Sequence, residues 1–81
     1  STLYGIEKYL ASGLIAGIGP HTAKKMVEKF GLDTLDIIQY YPDRLTEIEG
    51  IGSKKAAKIF EAFQEQKELR DIMMFLEQYD I

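Results

Sequence analysis

Apolar residues recur at helical spacing in two stretches of the chain. Within each stretch, successive apolar positions are three, one and three residues apart, which places them on one side of an α-helix. Lysines occupy much of the opposite side. The apolar positions are Ala23, Met26, Val27 and Phe30 in the first stretch, and Ala56, Ile59, Phe60 and Phe63 in the second. Two amphipathic helices of the same design are therefore predicted.

The two stretches belong to copies of one longer unit, displaced by 33 residues without a gap. In each copy the helix follows a Gly-Ile-Gly sequence. The matched residues are Ile15/Ile48, Gly17/Gly50, Ile18/Ile51, Gly19/Gly52, Ala23/Ala56, Lys25/Lys58, Glu28/Glu61 and Phe30/Phe63. A repeat in such close register indicates that one supersecondary unit is used twice.

The first unit is predicted to contain two helices around its Gly-Ile-Gly hairpin. The leading helix is expected over residues 1–12 and to end at Gly13. The helix after the hairpin is expected to begin at Pro20, which suits a first helical turn, and to end at Gly31. The apolar face of the leading helix comprises Leu3, Ile6, Tyr9 and Leu10.

A short helical linker is predicted between the two hairpins. Asp33 is typical of a helix cap, and a helix is expected from there to about Tyr40. Pro42 favours a further short turn through Leu45. This linker is also expected to serve as the leading helix of the second unit, and its apolar residues expected to be buried are Leu35 and Ile38.

The second helix is expected to begin near Ser53, which can cap it, and no clear end signal follows. One long helix bent near Gln66 is one interpretation. Two helices with a break between about Gln64 and Glu68 are the other, which the dense charge of residues 65–71 favours. The predicted organisation is all-α: a tandem domain over residues 1–66, with repeats at about 3–31 and 34–66, then a C-terminal helix over 67–81 leading into sequence that the chain lacks.

Composition narrows the class of protein. The 81 residues suffice for one small globular domain, and the absence of cysteine excludes disulfides and thiolate metal sites. No apolar run approaches the length that spans a bilayer, so no membrane partner is expected and the default location is the cytoplasm. The single histidine, His21, has neither a cysteine nor a second histidine as a co-ligand, so a metal or catalytic role for it is not expected.

The charge distribution matters more than the net charge of −3. Residues 20–30 and residues 53–63 each contain three lysines and one glutamate, which gives each segment a charge of +2. Glycine permits close approach to the backbone, and a helix N-terminus with free N–H groups attracts anions. Each hairpin with its helix start is therefore a candidate phosphate site.

The candidate contacts follow from that chemistry, each with a plainer alternative. Glycines shape tight turns in any case, and lysines often form only a solvated face. Ile18 and Ile51, at the hairpin tips, are better explained as plugs between the repeats than as wedges into DNA. Glu49 would repel phosphate and weaken the second hairpin. The candidate DNA-contacting residues are Gly17, Ile18, Gly19, His21, Thr22, Lys25, Gly50, Ile51, Gly52, Ser53, Lys54, Lys55 and Lys58.

A hydrophobic turn, Gly-Ile-Gly and a lysine-bearing helix resemble the helix-hairpin-helix motif, here in tandem. The chain also resembles the N-terminal region of RecD/TraA-type superfamily 1 DNA helicases, the group of the exodeoxyribonuclease V alpha subunit. The residues that carry this resemblance are 9–20, Lys29 to Gly31 with residues 33–36, and residues 42–45 (Pro-Asp-Arg-Leu). The resemblance implies a parent helicase that uses ATP and Mg²⁺ in a motor outside these residues, in recombination or repair.

The function expected from the residues and the resemblance is sequence-independent DNA binding, at duplex or single-strand/duplex junctions, through the sugar-phosphate backbone. Within the chain there is no nucleophile–base pair and no phosphate-binding loop of the Gly-x-x-x-x-Gly-Lys type, so no catalysis and no cofactor are expected. The alternative is a docking module that contacts a partner or the remainder of the parent helicase and has little DNA affinity. The acidic composition and Glu49 favour that alternative.

Overall fold

A computed structural model describes residues 2–78 of the chain, with the side chains of residues 2–69 and of Ile72. Within these residues four α-helices follow one another: α1 (Leu3–Ala11), α2 (Pro20–Phe30), α3 (Thr34–Tyr40) and α4 (Ser53–Gln78). A first 3-10 helix, Gly31–Asp33, precedes α3, and a second, Pro42–Glu47, follows it. The described residues contain no strand, so the predicted all-α class is confirmed.

Helix α1 has well-defined ends. The Thr2 hydroxyl accepts a hydrogen bond from the Gly5 N–H at 3.0 Å and caps the start. At the other end, the Ser12 hydroxyl donates to the Tyr9 carbonyl at 2.7 Å, and Gly13 turns the chain with φ of +90°. The face that α1 buries is carried by Ile6 and Leu10.

Helix α2 runs from Pro20 to Phe30, as its apolar stripe predicts, and packs against α1. Asp33 occupies the N-cap position of α3, as expected, but its side chain forms no capping hydrogen bond there. It is also the last residue of the first 3-10 helix, which passes directly into α3. The buried Thr34 hydroxyl instead donates to the Gly31 carbonyl at 2.6 Å. Of the residues expected to be buried in α3, Ile38 is buried but Leu35 only partly, and Ile37 is buried as well.

Helix α4 is continuous over 26 residues, so the preferred break between Gln64 and Glu68 was wrong. The physical reason is that Ser53–Gln78 contains neither glycine nor proline, and that residues 64–68, where the break was expected, are all Gln, Glu or Lys, which favour helix. A dense run of charged residues favours solvent exposure of a helix but does not interrupt its backbone hydrogen bonds. The N-terminal part of α4 packs on α3 and on the second 3-10 helix.

One core joins the two repeats. It combines the stripe of α2 and three residues of α4 (Ala56, Ile59 and Phe63) with the isoleucines of both hairpins and with residues of α1, α3 and the second 3-10 helix. Phe60, which was expected in the stripe of α4, is only half-buried. Ile59, Met26 and Leu10 have no exposed surface. No helix in the described part of the chain is long and apolar enough to cross a bilayer.

Candidate nucleic-acid interface

The two Gly-Ile-Gly hairpins have the same backbone geometry. Gly17 and Gly50 both have φ of +92°, a conformation that favours glycine. The Ile18 N–H donates to the Ile15 carbonyl at 3.2 Å, and in the second repeat the Ile51 N–H donates to the Ile48 carbonyl at 3.0 Å. The sequence repeat is therefore a structural repeat down to its hydrogen bonds.

The second glycine of each hairpin forms the helix start. Gly19 is the N-cap of α2, with extended backbone (φ −100°, ψ −179°), and its carbonyl accepts the Ala23 N–H at 2.9 Å. Gly52 accepts the Ala56 N–H at the same distance. A β-carbon built on either glycine would meet no atom within 4 Å. Neither position needs glycine for the fold, and both lie open to an approaching molecule.

Ser53 is the first residue of α4, one position after the N-cap. Helix α4 begins at Ser53 itself, and the bond from Ala56 to Gly52 shows that Gly52 occupies the capping position. The expectation that Ser53 caps α4 is thus replaced by a glycine cap, as in the first repeat. Glycine is an acceptable cap, but it provides no side-chain oxygen for the first N–H groups of the helix.

Free backbone donors collect at both helix starts. The first N–H groups of an α-helix have no partner inside the helix. Throughout residues 2–78, no backbone bond is donated by His21 or Thr22 at α2, or by Ser53, Lys54 or Lys55 at α4. The second hairpin offers one donor more, because Ser53 has an N–H where the first has Pro20.

The side chains of Ile18 and Ile51 are buried. Each side chain is only 4% exposed and lies in the common core. Their N–H groups are also used inside the hairpins. Their burial agrees with the role of core plugs, the alternative that the sequence favoured over a DNA wedge, and their contact with DNA stays a prediction.

The lysines of the two repeats differ in their surroundings. Lys54, Lys55 and Lys58 are exposed on α4, and His21 is exposed on α2, where Thr22 is half-buried. Lys25 is half-buried, and its Nζ donates to the Glu49 carbonyl of the second hairpin at 2.9 Å. The sequence signalled its charge but not this contact with the other repeat.

A second cross-repeat cluster also escaped prediction. Arg44 donates from Nε to Glu47 at 2.9 Å, and Lys29 of α2 lies 3.6 Å from the same carboxylate. The hydrogen bond from Arg44 is the main cause that holds the pKa of Glu47 below its usual value. The Arg44 guanidinium also lies over the Phe30 ring, 5.2 Å from its centre. The spacing of Arg44 and Glu47 was the only sequence signal for this cluster.

Residues 7–65 match the family described as the SAM-like helix-hairpin-helix tandem. The chain belongs to this family. Domains of this kind are non-catalytic DNA-binding modules. The resemblance to the helix-hairpin-helix motif, stated from the repeated Gly-Ile-Gly units, is thereby confirmed.

Part of the chain is similar in sequence to three curated proteins that process DNA. The chain is 39% identical over 59 residues to the ATP-dependent RecD2 DNA helicase of Deinococcus radiodurans, covering 72% of this chain and 8% of the helicase. It is 44% identical over 48 residues to the DNA repair and recombination protein RadA of Methanococcus maripaludis (strain C5), covering 59% and 15%. A DNA ligase of Synechococcus sp. (strain JA-3-3Ab) is 33% identical over 55 residues, covering 67% and 8%.

The chain therefore spans no more than 15% of the length of these relatives. No solved structure matches the chain at the same level of significance.

Proposed function

We propose that this tandem helix-hairpin-helix domain binds DNA without sequence preference, by the sugar-phosphate backbone. The observation that carries the proposal is the pair of open helix starts. A β-carbon added at Gly19 or at Gly52 would have no atom within 4 Å, so both glycines are accessible. Each is followed by backbone N–H groups that have no hydrogen-bond partner in the helix. Such a start binds phosphate through N–H groups and the helix dipole.

The second hairpin is the stronger of the two candidate sites. Its helix start offers the N–H groups of Ser53, Lys54 and Lys55, and both lysine side chains are exposed beside them. The first hairpin lacks one N–H at Pro20 and presents His21 and Thr22 at the equivalent positions. Lys58 is exposed one helical turn further along α4. These residues position a phosphate backbone and carry no information about bases.

The parent protein proposed for this domain is a RecD/TraA-like ATP-dependent DNA helicase acting in recombination or repair. The similarity to RecD2 of Deinococcus radiodurans supports this assignment, because it covers 72% of the chain. Similarity to RadA and to a DNA ligase is also present, so DNA processing is the shared theme. In such a parent the domain would hold duplex or junction DNA beside a motor located outside these residues.

Fluorescence anisotropy with labelled duplex, single-stranded and forked DNA tests the binding proposal. With roughly two to four phosphates engaged, the slope of log affinity against log salt is expected to be about −2 to −4. Lys54→Glu/Lys55→Glu should weaken binding at least about tenfold. The matched control is Lys8→Glu/Lys67→Glu, which changes the net charge equally and should have a much smaller effect. The proposal would be contradicted if the affinity for DNA changed neither with salt concentration nor in the Lys54→Glu/Lys55→Glu variant.

A second candidate function is docking to protein. The exposed Glu49 beside the second hairpin and the net charge of −3 favour it, because both oppose contact with phosphate. In that case the tandem would act as a spacer against the remainder of the parent protein. Absence of DNA binding at low salt by the wild-type chain would support this candidate over the first.

A further inference from the structure

Lys25 of α2 forms a hydrogen bond with the opposite repeat. Its Nζ donates to the backbone carbonyl of Glu49 at 2.9 Å, across 24 positions of sequence. The side chain is half-buried, and a β-carbon on Gly50 would lie 3.9 Å from the same Nζ. Lys25 thus contacts the backbone of the second hairpin at the turn where φ of Gly50 becomes positive.

The equivalent lysine of the second repeat makes no such contact. Lys58 is exposed, and in the part of the chain that the structure describes it has no recorded hydrogen bond or ion pair. The first hairpin is held differently: a β-carbon on Gly17 would lie 3.2 Å from Cγ1 of Ile59. Both hairpins bury their isoleucines in the core, and the second one also has an ammonium–carbonyl hydrogen bond from the opposite repeat.

We infer that Lys25 is a positioning residue, which holds the second hairpin against α2 and thereby orients the free N–H groups at the start of α4. A hydrogen bond from a charged donor is stronger than one between neutral groups, and this one joins α2 to the second hairpin at the protein surface. The Glu49 carbonyl precedes the Gly50–Gly52 turn directly. Movement of this carbonyl therefore moves the turn and the helix start that follows it.

The Lys25 ammonium is already engaged by the Glu49 backbone carbonyl. Both residues line one cleft between the repeats, together with Glu28, Lys29, Glu47 and Ile48. Lys25 is therefore assigned to the support of the second hairpin, and not to direct contact with phosphate.

Amide hydrogen exchange measured by NMR tests the positioning without any DNA. Lys25→Met keeps the aliphatic stem and removes the ammonium, and Lys58→Met removes the same charge from the equivalent position. We expect Lys25→Met to accelerate exchange of the Ile51 amide about tenfold and to leave the Ile18 amide unchanged. Lys58→Met should change neither, and Lys25→Arg should restore most of the protection. Lys25→Gln, which has a shorter, uncharged side chain, is the second variant and should also accelerate exchange of the Ile51 amide.

The inference would be overturned if both amides accelerated together, or if Ile51 exchanged as in the wild type in both the Met and Gln variants. The first result would show that Lys25 contributes only to global stability. The second would show that it has no effect on the second hairpin.

The consequence for DNA rests on the proposed function and has a separate readout. In a double-mutant cycle, Lys25→Met should weaken duplex binding several-fold in the wild-type background and have no effect in the Lys54→Glu/Lys55→Glu background. Equal weakening in both backgrounds would show direct contact with phosphate and overturn the positioning role. If the wild type bound no DNA, the proposed function would fail, and hydrogen exchange alone would decide the role of Lys25.

Discussion

Gly17 lies directly against Ile59. A β-carbon at Gly17 would stand 3.2 Å from Cγ1 of Ile59, closer than ordinary van der Waals contact, so a side chain at this turn would require Ile59 to shift. Ile59 itself has no exposed surface. The contact joins the turn of one repeat to the helix of the other and explains why the two units form one core.

Alanine at the first glycine of each hairpin should destabilise the two repeats unequally. Both positions have φ of +92°, so both variants carry backbone strain of about 1–3 kcal/mol. Gly17→Ala must also displace Ile59, whereas Gly50→Ala meets only the flexible end of Lys25 at 3.9 Å. Urea unfolding should therefore show a larger loss for Gly17→Ala, by about 1 kcal/mol. Equal losses would show that Ile59 gives way freely.

Serine at the second glycine should separate stability from binding. Gly52→Ser adds a side chain where no atom lies within 4 Å, and serine is a better helix cap than glycine. We expect the free energy of unfolding to rise by a few tenths of a kcal/mol. DNA affinity should fall, because the hydroxyl occupies the approach to the helix start and accepts one of its N–H groups. Unfolding and anisotropy on the same sample measure both effects. Unchanged affinity would argue against phosphate at Gly52.

Truncation of a hairpin isoleucine should damage the fold. Ile18 and Ile51 are each 4% exposed, and replacement of a buried isoleucine by alanine usually costs about 2–5 kcal/mol. Leu32→Ala is the control, since Leu32 is 65% exposed, and it should change stability by less than about 0.5 kcal/mol. Chemical denaturation compares the three variants. A small loss for Ile18→Ala would reopen the DNA-wedge interpretation.

The Glu47 cluster should contribute stability only above acidic pH. The pKa of Glu47 is lowered in the folded chain, first by the hydrogen bond from Arg44. A carboxyl group with a lowered folded pKa stabilises the protein above its unfolded pKa, about 4.3, and loses that contribution as pH falls through the folded value. Glu47→Gln should therefore be less stable than wild type at pH 7 and similar to it near pH 3. Urea midpoints at the two pH values measure the difference. A gap that persists at pH 3 would point to packing instead of charge.

The proposed boundary of the tandem domain at residue 66 is testable by truncation. Among the described side chains, Phe63 is the last buried one in α4, and Leu69 and Ile72 are 52% and 57% exposed. A chain ending at Gln66 should keep the hairpins folded, with amide chemical shifts of residues 3–60 close to those of the whole chain. Widespread shift changes or loss of dispersion would place the later part of α4 within the folding unit.

Local features of the fold were readable from the chain alone. The 33-residue repeat, the helix from Pro20 to Phe30 and the glycine-rich turns follow from spacing and residue type, which act over a few neighbouring positions. The buried stripe of α2 and most of that of α4 follow for the same reason, although Phe60 is only half-buried. The free N–H groups at each helix start were also predictable, because they are a property of any helix that follows such a turn.

Contacts between the repeats were decided by the tertiary structure. Lys25 and Lys58 look equivalent in sequence, yet only Lys25 meets a carbonyl of the opposite hairpin. Gly17 and Gly50 likewise look equivalent, yet one faces Ile59 and the other faces Lys25. The reason is that a repeat makes local geometry identical, whereas the neighbour across the core differs at each copy. Sequence by itself determined the two hairpins; only packing determined which residue holds each of them.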